Sequence, residues 1–304
     1  MIVAKVQGGM GNQMFQYALG RRLANEQGTE VGLDLTLLLD RRPHKDFVFR
    51  NYDLDLFNVR ARILANEEVW DHIRVPQSRL LNRKTVIPYL NRWRRLRNRD
   101  AYLLVKERAF TFDPSILALR GNIYLDGYWQ SPKYFAPIAD ELKADFALKE
   151  PLPVRVRELA DRISAVNALC INARRGDFVS LKGTAELHGA CGMDYFQRAL
   201  ETIVPIIGPP EIFVTSDDIA WCRENMRFGY PTTVLDHDWA GPRFSHYLEL
   251  MARCRHFIIP NSTFAWWAAW LATYPDKVVV APFAWFRDQS LDTSDLFPAT
   301  WIRV

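Results

Sequence analysis

The chain has 304 residues, is 49% hydrophobic and 24% charged, and sets 39 Lys plus Arg against 35 Asp plus Glu. This composition excludes disordered, collagen-like and solenoid chains, and the length suits two domains of about 150 residues better than one core. A net charge of +4 cannot coat nucleic acid by bulk charge, so only a local basic site can matter. Thirty of the cations are arginines, whose planar fork grips phosphate with two hydrogen bonds, although codon bias produces the same excess.

The cysteines, Cys170, Cys191, Cys222 and Cys254, form no CxxC pair and read as reduced thiols rather than zinc ligands. The opening MIVAKVQGGMGN runs straight into an apolar strand and a glycine turn, leaving no room for a signal peptide, so a cytoplasmic protein is expected. The longest apolar run, FAWWAAWLA at 264–272, has nine residues where a membrane span needs about twenty.

In chain order, Ile2 to Val6 reads as a strand that breaks at Gly8-Gly9. QMFQYALGRRLANEQG then reads as a helix with Met14, Phe15, Ala18, Leu19 and Leu23 on one stripe, stopped by Gly28. Thr29 to Leu35 is a second strand, which gives a parallel pair with a right-handed crossover. From Leu37 to Arg120 the pattern is less regular. The basic run NRWRRLRNRD at 91–100 is either a solvated helix face or a dock for an anionic membrane surface or acceptor. A strand at 122–131, a helix over SPKYFAPIADELKADFAL and a stiff PLP linker at 151–153 follow. The boundary falls there, giving domains 1–153 and 154–304. The second half alternates helices with the strands ALCINARRG, EIFVTSD, TTVLD, HFIIP and KVVVAP. The expected fold class is therefore α/β, with two doubly wound, Rossmann-like parallel sheets facing across a cleft.

Ligands of such sheets sit beyond the carboxyl ends of the strands. GGMGNQ at 8–13 is a glycine turn that lets backbone N–H groups approach a ligand, or a turn that merely connects strand to helix. A dinucleotide site would use the same turn with Asp34 on a ribose, but Met14 stands where the third glycine of its motif belongs. An NAD-dependent oxidoreductase is thus one alternative, and a non-catalytic nucleotide or RNA binder using the 91–100 run is another. ARRGDF at 173–178 puts Arg174 and Arg175 at a strand end, suited to a diphosphate or else paired with Asp177. Asn261, Ser262 and Thr263 open the apolar helix TFAWWAAWLA, as caps and as a phosphate site. Asp217-Asp218 end the strand EIFVTSD, where one carboxylate accepts from a guanine edge or caps the next helix. The triplets Asp53-Leu54-Asp55 and Asp236-His237-Asp238 are expected by chance, and no obligatory metal is expected.

GGMGNQMFQYALGRRLA, LDGYWQSPKYF, ARRGDF, LELMARCRHFIIPNSTFAWWAAWL and DTSDLFPATWIRV, in this order along the whole chain, together resemble the α-1,2-fucosyltransferases of glycosyltransferase family 11. The resemblance implies a GT-B type fold, with an acceptor-side domain first and a GDP-sugar-binding domain second. It implies metal-free, inverting transfer of L-fucose from GDP-β-L-fucose to an oligosaccharide or glycolipid ending in β-galactose, commonly in O-antigen synthesis at the cytoplasmic face of the membrane. By position, Arg174 and Arg175 would hold the diphosphate, with Ser262, Thr263 and the Phe264 N–H completing the cradle, and Asp217 would read guanine. Asn12, with Gly11 and Gln13, would face fucose and acceptor, and Tyr128, Trp129 and Gln130 would shape the acceptor side. Asn172 stands where the family usually has histidine; it can contact the base but cannot take a proton at neutral pH. Arg174 is the principal catalytic group expected, assisted by Asn12, and Asp177 is either a carboxylate helper for the acceptor proton or an exposed acid.

Overall fold

The computed structural model describes residues 1–42, 49–66, 68–69, 101–176, 189, 191–288 and 290–304. It divides into two compact units: Met1–Ala147 with Asp292–Leu296, and Leu148–Leu291 with Phe297–Val304. Each is a parallel-sheet α/β unit.

The first unit carries β1 (Ile2–Lys5), α1 (Met10–Gln27), β2 (Val31–Asp34), β3 (Arg62–Ile63), β4 (Leu103–Lys106), β5 (Ile123–Asp126) and α2 (Ala139–Asp145). Its sheet order is β3-β2-β1-β5-β4, with every pairing parallel. β1 and β2 are buried except at Lys5 and are apolar but for Lys5 and Asp34 at their carboxyl ends, as strands covered on both faces tend to be. Gly28 ends α1 in the left-handed conformation, where a glycine pays no Cβ penalty. The strand expected over 122–131 stops at Asp126, because the chain turns at Gly127 and Trp129 takes φ 57. The helix expected from Ser131 winds first as two 3-10 turns, Pro132–Tyr134 and Ala136–Ile138. Proline, lacking an N–H, starts helical turns but does not continue them, and α2 proper begins only after Pro137. Asp145, nearly fully buried, accepts from the Tyr17 hydroxyl at 2.6 Å and Arg21 Nε at 2.9 Å, with Arg60 Nε at 3.2 Å. The returning segment is tied down by Asp295, which accepts the Phe112 N–H at 2.7 Å and pairs with Lys133.

The second unit carries α3 (Val154–Ala165), β6 (Ala168–Ala173), α4 (Met193–Ile207), β7 (Glu211–Ser216), α5 (Ile219–Asn225), β8 (Thr232–Val234), α6 (Ser245–Ala252), β9 (His256–Ile258), α7 (Thr263–Leu271), β10 (Val279–Ala281) and β11 (Ile302–Arg303). Its order, β11-β10-β9-β6-β7-β8, is that of the six-stranded dinucleotide-binding sheet. The short edge strands β3, β4 and β11 escape sequence reading, since two to four residues carry little periodicity. β6 is buried at every position. α7 buries Trp266 and Trp267 completely, their rings edge-on with centroids 5.1 Å apart. Its C-terminus is closed by the Lys277 ammonium, which donates to the carbonyls of Ala269, Trp270 and Ala272 at 2.8, 3.1 and 2.7 Å. Among the described residues no helix is long and apolar enough to cross a membrane.

Candidate active site

In the second unit the strand order reverses between β6 and β9, which opens a crevice at their carboxyl ends. β6 delivers Asn172 to Gly176 there, and β9 delivers Asn261 to Phe264. Arg174 Nη1 lies 2.7 Å from Asp217 Oδ2 at the neighbouring end of β7, and its side chain keeps 29% exposure. The Arg175 guanidinium lies over Trp221, its central carbon 3.9 Å from the ring centroid, with Nε 3.3 Å from Asp218 Oδ2. The two adjacent cations are thus each fixed by a carboxylate from the next strand end and remain part-exposed.

Asp217 also accepts the backbone N–H groups of Arg175 at 2.8 Å and Gly176 at 3.1 Å. Its carboxylate thus gathers the backbone amides after β6 and orients Arg174. Asp218 is the helix cap, accepting the Trp221 N–H at 3.1 Å. Asn172 is likewise tied to the neighbouring strand. Its register partner on β7 is Thr215, and both protons of its amide go there, to the carbonyl at 3.2 Å and the hydroxyl at 2.9 Å. Its amide nitrogen braces the sheet.

Ser262 caps α7 in an extended conformation without a side-chain capping bond, so its hydroxyl leaves the first-turn N–H groups of α7 uncapped. Thr263 and Phe264 follow, both half-buried. Asn261 points inward instead. Its amide donates to the carbonyls of Gly189 and Trp285 at 3.1 and 3.2 Å, and its oxygen lies 3.7 Å from Cys191 Sγ. Burial pushes the Cys191 thiol up to about 11, and all four cysteines are free thiols. Asp177, with the rest of residues 177–188, and the 91–100 run lie outside the described residues.

In the first unit the order reverses between β1 and β5. Position 8 must be glycine: φ is +79, and a Cβ would stand 2.5 Å from Asn12 Nδ2. Two buried glutamines of α1 brace the turn. Gln16 exchanges hydrogen bonds with the Gln7 backbone at 3.0 and 3.2 Å, and Gln13 donates to the carbonyls of Gly8 and Asn51 while accepting the Asp53 N–H at 2.9 Å. Gln13 is therefore a brace rather than an acceptor contact, and Gly11 is buried beside it.

Asn12, half-buried, accepts from Gln130 Nε2 at 2.9 Å. Gln130 is 6% exposed, and its buried Oε1 has no partner among the described residues. Trp129 turns inward, 2% exposed and edge-on to Tyr134 at 5.9 Å, which corrects its reading as an acceptor-shaping residue; Tyr128 remains half-buried at the edge. The turn hangs on Glu107, which sequence reasoning missed: its carboxylate accepts the N–H groups of Tyr128 at 2.6 Å and Trp129 at 2.8 Å. Burial raises its pKa despite those bonds. Nothing in a lone Glu at the end of a four-residue strand signals this.

Asp34 decides against the dinucleotide alternative. One of its oxygens accepts the N–H and hydroxyl of Thr36 at 2.9 and 2.7 Å, the other the Tyr124 hydroxyl at 2.6 Å, and the side chain is buried away from any ribose. The model of the family described as "Glycosyl transferase family 11" matches residues 1–304. The chain belongs to that family. It is 28% identical over 310 residues to an "Alpha-1,2-colitosyltransferase" of Escherichia coli, covering 100% of this chain and 99% of that one. It is likewise 28% identical over 312 residues to the "O-antigen biosynthesis glycosyltransferase WbnK" of Escherichia coli, covering 98% of each. A "Galactoside alpha-(1,2)-fucosyltransferase 2" of Oryctolagus cuniculus matches at 28% over 170 residues, 53% of this chain and 47% of that one. This family 11 chain is a glycosyltransferase.

Proposed function

We propose that the chain is an inverting galactoside α-1,2-fucosyltransferase, moving L-fucose from GDP-β-L-fucose to a terminal β-galactoside of an oligosaccharide or glycolipid in O-antigen or other surface-glycan synthesis. The observation that supports the reading is that Arg174 and Arg175 follow β6, and the uncapped start of α7 follows β9, at the carboxyl ends of two paired parallel strands. The α-1,2 linkage and the O-antigen role in the names of full-length relatives support it, as does the fucosyl activity in the name of a relative matched over 53% of this chain.

Fucosyl transfer proceeds through a loose state in which the sugar gains positive character while negative charge grows on the departing β-phosphate. Charge placed there beforehand lowers the barrier without reorganisation at the moment of reaction. Arg174 supplies it, aimed by Asp217, while Ser262, Thr263 and the Phe264 N–H complete the cradle. Arg175, lying over Trp221, holds the other phosphate. These cations take the role a divalent ion would have, so no metal is required. On the first unit, Asn12 and Gln130 are offered to the acceptor, with Tyr128 at the edge of the same turn. The chain works at the cytoplasmic face of the membrane.

The full-length match at 28% identity to a colitosyltransferase supports a second reading, in which the donor sugar is colitose, the 3-deoxy counterpart of fucose. The test is transfer to lactose in EDTA from GDP-fucose and from GDP-colitose, with linkage and anomer read by NMR. An α-1,2-fucosyl product is expected. Transfer of colitose alone would select the second reading, and loss of activity in EDTA would contradict the metal-free mechanism.

A further inference from the structure

A nucleotide base at this end of the second sheet needs a face to stack on as well as polar groups to read its edge. The segment after β8 offers one. His237 lies against the end of β7, its Nε2 3.2 Å from the Ser216 carbonyl oxygen. Ser216 directly precedes Asp217, the residue that holds Arg174 at 2.7 Å. Phe244 stands edge-on to His237, with centroids 5.8 Å apart and planes at 86°, and is 42% exposed.

The backbone presenting Phe244 is strained. Arg243 at φ 50, ψ 35 and Phe244 at φ 66, ψ 16 are consecutive side-chain-bearing residues in the left-handed region. Surrounding contacts hold the turn there. Gly241, at φ 67, lets the backbone press on His246, where a Cβ would stand 2.2 Å from the ring. His246 N–H donates to the Ala240 carbonyl at 3.0 Å, and the Tyr247 hydroxyl lies 2.6 Å from the Asp236 carbonyl oxygen. The Arg155 guanidinium covers Trp239 at 4.3 Å. Backbone strain of this kind clusters at ligand clamps, and glycine at position 244 would have relieved it.

Adjacent strands lie about 4.8 Å apart, which puts the end of β8 about 10 Å from that of β6, on the order of the reach from a diphosphate to its base. We propose that Phe244, buttressed by His237, is the stacking platform for the purine base of the donor nucleotide whose diphosphate meets Arg174 and Arg175. This rests on the donor reading above. An exposed aromatic face stacks any base, and the larger purine covers more of it.

The experiment is calorimetric titration of wild type, Phe244→Gly and Phe244→Leu with GDP and with inorganic pyrophosphate, alongside thermal melts. Phe244→Gly should melt about 2 °C higher as the strain is released. It should nonetheless bind GDP roughly tenfold more weakly with pyrophosphate affinity unchanged. Phe244→Leu should weaken GDP binding similarly without the rise in melting temperature. GDP binding within twofold of wild type in both variants overturns the proposal, as does equal weakening of GDP and pyrophosphate. Wild type that binds pyrophosphate but not GDP overturns the donor reading itself, and this inference with it.

Discussion

The two sheets end in the same topology, a reversal of strand order flanked by a turn and a helix start, but use their polar groups differently. At the first sheet's carboxyl edge, Gln13, Gln16, Asp34 and Glu107 are turned inward onto backbone and neighbouring side chains. At the second, the carboxylates of Asp217 and Asp218 hold two guanidinium groups that stay part-exposed. Strand, glycine turn and helix therefore announce a site without saying which groups face it. Burial decides that, and a glycine turn braced by buried glutamines is mainly architecture.

Substitutions at the first edge should then cost stability, and those at the second should cost turnover. The largest expected effect is at Asp145, beneath the first unit, where Asp145→Ala leaves Arg21 and Tyr17 without their buried acceptor. A loss of about 3–5 kcal/mol in urea unfolding is expected. Arg174→Ala should reduce the transfer rate on the order of a hundredfold or more, about 3 kcal/mol, with an unchanged melt. Near-normal turnover would remove Arg174 from the mechanism. Gln13→Leu, which orphans the Gly8 and Asn51 carbonyls and the Asp53 N–H, should cost about 2 kcal/mol of stability and leave GDP affinity untouched.

Smaller effects sharpen the contrast. Lys277→Met should destabilise the second unit by about 1 kcal/mol, since three α7 carbonyls lose a charged donor. His256 is held below its usual pKa by burial and the Arg255 charge, and its Nδ1 accepts the Val278 N–H at 3.1 Å. The folded state thus favours neutral His256. Its contribution is complete above the unfolded pKa of about 6.5 and is lost as pH falls through the lower folded value. His256→Asn, whose oxygen can take the same N–H, should flatten the fall in stability between about pH 7 and 5. His246, also lowered by burial, leaves a residual slope.

Much of the second unit was legible because its strands are continuous apolar runs such as ALCIN, interleaved with amphipathic helices, and the arginine pair sits where such strands end. The partner of each site residue was not legible. Asn172 meets Thr215 and Arg174 meets Asp217 because β6 and β7 pair in one register across some forty residues, and no local pattern carries that information. The apolar run through Gly127-Tyr128-Trp129 imitated a longer strand, because hydrophobicity does not distinguish a pleat from a buried turn at positive φ.

The most direct test of the account is titration of the wild-type chain and Arg174→Ala with GDP in EDTA, with UDP, ADP and NAD as comparators. Metal-free binding of GDP alone, weakened at least tenfold in Arg174→Ala, is the expected result. No GDP binding, or NAD binding in its place, would contradict a guanine diphosphate site at the β6/β9 reversal.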